Sequence, residues 1–261
     1  MARITKADIY KKYGIEFDGK YITSPIGKIR ELLKQGNSKV GKHVWTFSLL
    51  PTNKIFHVKI NGVAMDIRGT CPCHCVGCYA TTGHYTQHTA KQSMAINTYL
   101  VNNHIDFVKR AITAQLEYIG RGEVRIHASG DFMTENSSEY SKMWLDIAKM
   151  FPSIRFWTYT KCKCYESLFD NLKNANIVKS IIPEIGINFG HCDYIINTYY
   201  TLREIGKTVY ICKCGIDKNQ HCERCGVCAT YEYVLFLEHS TAYNAEKDPL
   251  YGKLCEVVMN Q

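Results

Sequence analysis

Residues 71–78 read Cys71-Pro72-Cys73-His74-Cys75-Val76-Gly77-Cys78, four thiols in eight positions. Thiols this dense point to metal ligation, because soft sulfur ligands select zinc, copper(I) and iron-sulfur centres. Cys71, Cys75 and Cys78 stand at C-x3-C-x2-C spacing. A short loop of that kind wraps three sulfurs around one face of a [4Fe-4S] cluster and leaves the fourth iron open for chemistry. Cys73 offers the opposite outcome, since a fourth thiolate on that iron would close it. Zinc is the alternative metal. It takes four tetrahedral sulfurs, but structural zinc sites are normally built from separated ligand pairs, which weighs against zinc in one tight loop.

A second cysteine field follows at Cys212 and Cys214, then Cys222, Cys225 and Cys228. Three thiols at x2 spacing plus Cys212 or Cys214 make a four-ligand set, as auxiliary iron-sulfur clusters and structural zinc both require. Saturated coordination implies structural support or electron relay. The metal there stays open between the two.

Between the two fields lies Arg125-Ile126-His127-Ala128-Ser129-Gly130-Asp131-Phe132. Side chains alternate across a strand, so Val124, Ile126 and Ala128 are expected against helices, with Arg125, His127 and Ser129 on the opposite, inner face. Gly130 would let the backbone approach a ligand, and Asp131 places a carboxylate beside it. The next strand repeats the pattern with Trp157, Tyr159 and Lys161 on one face, where an aromatic ring would stack on adenine and Lys161 would meet a carboxylate or phosphate.

These groups need a frame. Apolar spacing predicts a helix near residues 26–35, then a hairpin of residues 45–50 and 55–60, then a strand over 63–70 that runs into the cysteine loop. One or two helices fill 91–118. Strands over 124–129, 154–160, 177–187, 208–212 and 233–239 alternate with helices over 137–150, 165–173 and 193–205. Alternation of this kind predicts an α/β fold with a parallel sheet, curling into a partial or open (βα)5-6 barrel with function at the carboxyl ends of its strands. The expected organisation is a small basic N-terminal extension over residues 1–48 and a barrel domain over 49–261 that includes the cysteine-rich segment 212–228.

The C-x3-C-x2-C loop resembles the cluster loop of radical S-adenosylmethionine (SAM) enzymes. The resemblance implies that SAM chelates the open iron, that a reductant such as flavodoxin or ferredoxin supplies an electron, and that SAM is cleaved to a 5'-deoxyadenosyl radical. In that superfamily an aromatic residue precedes the last cysteine, whereas here Gly77 stands there and Tyr79 follows. Ser129-Gly130-Asp131 is similar to the Gly-Gly-Glu-like segment that holds the amino group of SAM. With Tyr79 and Lys161 these residues form the expected SAM-binding set. Cys78-Tyr79-Ala80, the segment from Arg125 to Phe132, Phe156-Trp157-Thr158-Tyr159-Thr160-Lys161 and Cys222-x2-Cys225-x2-Cys228 together resemble the bacteriophage "gene product 88" family, over roughly residues 45–240. That resemblance implies a phage or prophage origin and a radical-SAM-like barrel, and leaves the reaction and substrate open.

Thirteen cysteines, odd in number and clustered, argue for metal ligation in a reducing compartment over a disulfide framework. No apolar run approaches a membrane span and the amino terminus lacks a signal-peptide core, so the expectation is a cytoplasmic protein without a membrane partner. The net charge is +8, and residues 1–48 carry ten Lys or Arg against four Asp or Glu, a surplus of six. With Tyr10, Tyr13, Phe17 and Tyr21 interleaved, this leader would suit nucleic acid through phosphate contacts and base stacking. The alternative to a radical enzyme is therefore a metal-stabilised nucleic-acid-binding or host-interfering phage protein without catalysis.

Overall fold

The computed structural model describes residues 4–36, 40–73, 78–180, 192–213, 216, 225–236 and 245–261. In chain order the strands are β1 (Ile22–Ser24), β2 (Gly27–Ile29), β3 (Lys34–Gln35), β4 (Val44–Ser48), β5 (Ile55–Ile60), β6 (Val63–Arg68), β7 (Gly122–Ser129), β8 (Ile154–Thr160), β9 (Ala175–Lys179), β10 (Val209–Ile211) and β11 (Tyr233–Leu235). The helices are α1 (Lys6–Lys12), α2 (His88–Asn103), α3 (Ile105–Ile119), α4 (Ser137–Met150), α5 (Cys192–Glu204) and α6 (Tyr251–Met259).

The central sheet runs β3-β4-β7-β8-β9, with β3 antiparallel and the other four parallel. β10 and β11 form a parallel pair, and the Lys179 N–H at the end of β9 donates to the Glu232 carbonyl just before β11. The spatial order is thus β9, β11, β10, with the later strand nearer the sheet. β7 and β8 are buried because helices cover them: α3 contributes Phe107, Val108, Ile112 and Leu116 and α4 contributes Tyr140, Met143, Trp144 and Ile147, all at helical spacing. A second core joins α5, β10, β11 and α6 through Ile195, Ile211, Leu235 and Leu254.

The boundary expected at residue 48 does not exist. β4 is an inner strand of the sheet, paired in parallel with β7. Residues before it belong to the same core: Tyr10, Ile22, Ile29, Leu32 and Leu33 are buried in the main cluster. The Gln115 side chain accepts from the Leu33 N–H at 2.9 Å and donates to the Leu33 carbonyl at 2.8 Å, tying this segment to α3. Among the described residues, three of the leader's ten cations are paired within the chain, as Lys6–Glu31, Lys12–Glu117 and Lys28–Asp18. Of its aromatics, Tyr10 is fully buried, stacks on Phe17 and donates to Glu31, and Tyr13 donates to Glu117, while Tyr21 stays partly exposed beside Lys20 and Arg30. The expected helix over 26–35 is instead β2, a turn and β3. Ser24 bonds across the Ser24-Pro25-Ile26-Gly27 turn, and the bend between β2 and β3 buries Leu32 and Leu33.

The hairpin also differs in its partners. β5 pairs with β6, not with β4, around Asn61-Gly62 at φ 50° and 85°. Two left-handed residues match the twist of a two-residue hairpin loop, and Asn-Gly is the pair that adopts them at least cost. The strand leading to the cysteine loop is therefore one arm of a hairpin packed on α2 through Ile60, Ile67, Met94 and Ala95. The helix expected over 165–173 is reduced to a 3-10 turn at Lys163–Tyr165. Residues 181–187 of the strand expected over 177–187, and 237–239 of the last expected strand, lie outside the described residues. Among the described residues no helix is long and apolar enough to cross a membrane.

Candidate metal and cofactor site

The cysteine loop is fastened to the carboxyl edge of the parallel sheet by the residue in front of it. Thr70 is buried, and its N–H and hydroxyl both donate to the Leu50 carbonyl just past β4, at 2.9 and 3.0 Å. The same hydroxyl accepts the Asp131 N–H at 3.0 Å, and the Thr70 carbonyl accepts the Met133 N–H just past β7. The Cys71 N–H continues the staple by donating to the Thr52 carbonyl. The hairpin excursion of β5 and β6 thus returns the loop to the ends of β4 and β7. Nothing in the sequence pattern marks Thr70, since a small β-branched residue next to a cysteine loop has no periodic signature.

Asp131 ties β7 to β8. Its Oδ1 accepts from the Phe132 N–H at 2.8 Å and the Thr160 hydroxyl at 2.7 Å, and its Oδ2 accepts from the Lys161 N–H at 2.8 Å. Burial pushes its carboxyl above the usual range, and these three donors oppose the shift. Ser129 donates to the Leu49 carbonyl at 3.0 Å. Gly130 sits at φ +85°, where an added Cβ would lie 2.6 Å from the Thr70 hydroxyl and 2.7 Å from the Leu49 Cβ. The close approach expected for a ligand at Gly130 is an approach of the chain to itself. Ser129, Gly130 and Asp131 turn their side-chain or Cβ positions inward as a brace between strand ends.

Cys71 and Cys78 are both partly exposed at this edge. Burial pushes the Cys71 thiol up, the Asp131 carboxylate adds to the shift, and the Lys161 ammonium opposes it. Cys71, Asp131 and Lys161 therefore share one electrostatic neighbourhood. Cys162 is buried beside the same carboxylate, its thiol pushed up to about 12 chiefly by burial. Tyr79 opens a 3-10 turn, Tyr79–Thr81, directly after Cys78. Cys71 and Cys78 thus bring soft sulfur donors to a braced strand edge. Among the described residues no three His, Cys, Asp or Glu side chains form a group that would hold a metal ion. Cys75, Cys214 and Cys222 lie outside those residues.

His127 departs from the alternation. β4 and β7 shift register so that Thr46 pairs Arg125 while Ser48 pairs Ser129, leaving extra residues on β7, and His127 adopts φ +59° in that bulge. The bulge carries its ring to the helix side, between Thr158 Oγ1 at 3.2 Å and Tyr140 Oη at 2.7 Å, with Phe132 edge-on at 4.6 Å. It is a buried neutral imidazole, pulled down to about 3 by burial. A histidine kept neutral in the fold and free to protonate when unfolded contributes stability present above pH ~6.5 and lost as pH falls towards the folded value. His127→Asn, which tolerates the left-handed backbone, is expected to flatten the loss of stability between pH 6.5 and 3 by on the order of 4 kcal/mol. Urea unfolding midpoints across that range measure the difference in slope, and equal slopes would refute the assignment.

Arg125, Trp157 and Tyr159 do share a face, but they are turned to one another. The guanidinium stands 5.3 Å from the Trp157 ring and 5.2 Å from the Tyr159 ring, and the two rings meet edge to face at 5.6 Å. Trp157 is buried, so the stacking surface expected there for adenine is occupied by the protein. Tyr159 also meets Phe236 and donates to Cys228 Sγ at 2.8 Å. Burial pushes the Tyr159 hydroxyl well up, with added contributions from the nearby Cys228 and Cys212. The sheet thus draws Cys212 and Cys228 of the second field towards β8.

A family model described as gene product 88 matches residues 31–187, more than half of the chain. The chain belongs to the gene product 88 family. The match starts within the basic leader, at the segment that packs on α3, and spans the cysteine loop, the Ser129-Gly130-Asp131 brace and Lys161. It ends before Cys212, so the second cysteine field lies beyond the shared region. No curated protein and no solved structure matches the chain.

Proposed function

We propose that this chain is an iron-sulfur protein of radical SAM type, phage or prophage encoded, that acts on a substrate held at the carboxyl edge of a partial barrel. The observation that carries the proposal is the fastening of the C-x3-C-x2-C loop, through Thr70, to the ends of β4 and β7 beside Asp131 and Lys161. Cys71, Cys75 and Cys78 would hold a [4Fe-4S] cluster, which with SAM on its open iron supplies reductive cleavage to a 5'-deoxyadenosyl radical. Thr70 and Asp131 keep the loop's first cysteine at a fixed place against the strand ends, and Lys161 places a positive charge beside it. Lys161 and Tyr79 are the proposed SAM contacts. Asp131 supports them from below, since Oδ1 is spent on two donors and the carboxylate is buried. A flavodoxin- or ferredoxin-like reductant would supply the electron, and the Cys212–Cys228 segment would hold a second metal.

Protein purified without oxygen is expected to carry iron and sulfide with the broad visible absorbance of thiolate-ligated iron. After reduction, added SAM is expected to change the electron paramagnetic resonance spectrum and to yield 5'-deoxyadenosine. Cys73→Ser should preserve both effects. A wild-type spectrum indifferent to SAM that becomes responsive in Cys73→Ser would make Cys73 the fourth ligand and end the radical reading; zinc as the sole metal would end the iron-sulfur reading.

A further inference from the structure

We propose that the outer face of the β1–β2 ribbon, with Tyr21 flanked by Lys20 and Arg30 and extended by Lys34, is a docking surface for single-stranded nucleic acid. The inference stands apart from the radical SAM reading and uses none of the cysteines. Strand alternation sets the face: Ile22 and Ile29 pair across the ribbon and point into the core, so Tyr21 and Arg30, one step further along, stand on the opposite side. The Arg30 guanidinium lies 6.0 Å from the centre of the Tyr21 ring and the Lys20 ammonium 5.1 Å from it. Both cations are exposed, and Tyr21 is half-buried.

The backbone that carries the ring is fixed before anything binds. Asp18 Oδ1 accepts the N–H groups of Lys20 and Tyr21 at 3.1 and 2.8 Å, and the Asp18 N–H donates to the Tyr21 carbonyl at 3.1 Å. The nearby carboxylates are engaged with other partners: Asp18 Oδ2 meets Lys28 at 2.8 Å, the two oxygens of Glu31 accept from Lys6 and Tyr10, and Glu16 accepts the Thr23 hydroxyl at 3.1 Å. Among the described residues, Lys20, Arg30 and Lys34 take part in no salt bridge. The Lys34 ammonium donates to the Glu31 carbonyl, one residue from Arg30. Burial and then the Arg30 charge pull it down to about 8 against the pull of Glu31, the behaviour of a lysine that lacks a counter-anion. A polyanion supplies that charge. An acidic peptide would answer the cations alone, whereas a ring set among them suits a ligand that carries flat π-faces as well as phosphates. Single strands expose both. A cation over an exposed ring is held weakly, so a base takes its place while the cation turns to a phosphate.

The test is fluorescence anisotropy of labelled oligothymidylate and oligouridylate with the full-length protein across a salt series. Three phosphates neutralised on a single strand predict a slope of log affinity against log salt of about −2, and Lys20→Gln and Arg30→Gln should each make it shallower by about 0.7. Tyr21→Ala should weaken binding roughly 5- to 150-fold, the loss expected for one stacked base, with the slope unchanged. Should Tyr21→Ala lower the unfolding midpoint, Tyr21→Leu keeps apolar packing while removing the π-face and takes its place. Binding of either strand with these sensitivities supports the proposal, and the tighter one names the sugar recognised. Absence of binding at low salt, or affinity indifferent to the Tyr21 and Arg30 variants, overturns it. A duplex or polyglutamate that binds as tightly as the single strands also overturns it, because the face would then be a general attractor of anions.

Discussion

A chain that begins at residue 36 is expected not to fold. It would lack Tyr10, Ile22, Ile29, Leu32 and Leu33, each at most 5 % exposed. Burial of side chains of this size contributes about 1.5–3 kcal/mol each, so their joint loss is on the order of 8–15 kcal/mol, an upper figure because denatured chains are already partly compact. A domain of this kind has only about 5–15 kcal/mol in total. The truncation would also remove β3, turning β4 into an open edge, and leave the Gln115 amide without its two bonds to Leu33. Soluble yield and a cooperative unfolding transition followed by circular dichroism are the measurements. A truncated protein with the wild-type midpoint would make the leader a peripheral extension, as its charge pattern suggests.

The second large effect is expected at Gly130→Ala. The substitution forces a side chain into a left-handed backbone, about 1–3 kcal/mol, and sets its Cβ against Leu49 and the Thr70 hydroxyl, adding about 1–3 kcal/mol of overpacking. The sum, about 2–6 kcal/mol, approaches half of a typical domain's stability. Thr70 cannot yield cheaply, because its hydroxyl is bonded to both Leu50 and Asp131. Displacing it would carry Cys71 along, so on the proposed iron-sulfur reading the iron bound per chain should fall together with the unfolding midpoint. Ser129→Ala, which removes one bond to the Leu49 carbonyl, should cost only about 1 kcal/mol and spare the metal. Were Gly130→Ala to fold normally and lose only SAM binding, the glycine would serve ligand approach instead of strand packing.

Much of the frame is legible in the residue pattern. The extents of α4 and β8 and the helical content of residues 91–118 follow from apolar periodicity, because each element buries one face against a neighbour in the same layer, whereas the helix expected over 165–173 does not form. The donor chemistry is equally local: clustered thiols declare themselves by spacing alone, and so does the Asn61-Gly62 hairpin turn once its true partner strand is considered.

Long-range pairing is another matter. That β4 leaves its sequence neighbour β5 to lie beside β7, some seventy-five residues on, depends on which edges the helices leave open, and no local pattern encodes that choice. The bulge that turns His127 towards α4 is likewise invisible to an alternation rule, since residues inside an irregular stretch of a strand leave the regular alternation of faces.

The clustered cysteines and the membership in the gene product 88 family, expected over roughly 45–240 and matched over 31–187, are legible locally because they reside in residue identity and spacing. Only the tertiary structure decided that the basic leader is core, that Thr70 and Asp131 are the brace beneath the cysteine loop, and that Tyr159 meets Cys228 across sixty-nine positions. The reason is physical. A hydrogen bond or a buried side chain has its effect through the partner it meets, and partners distant in the chain are chosen by packing.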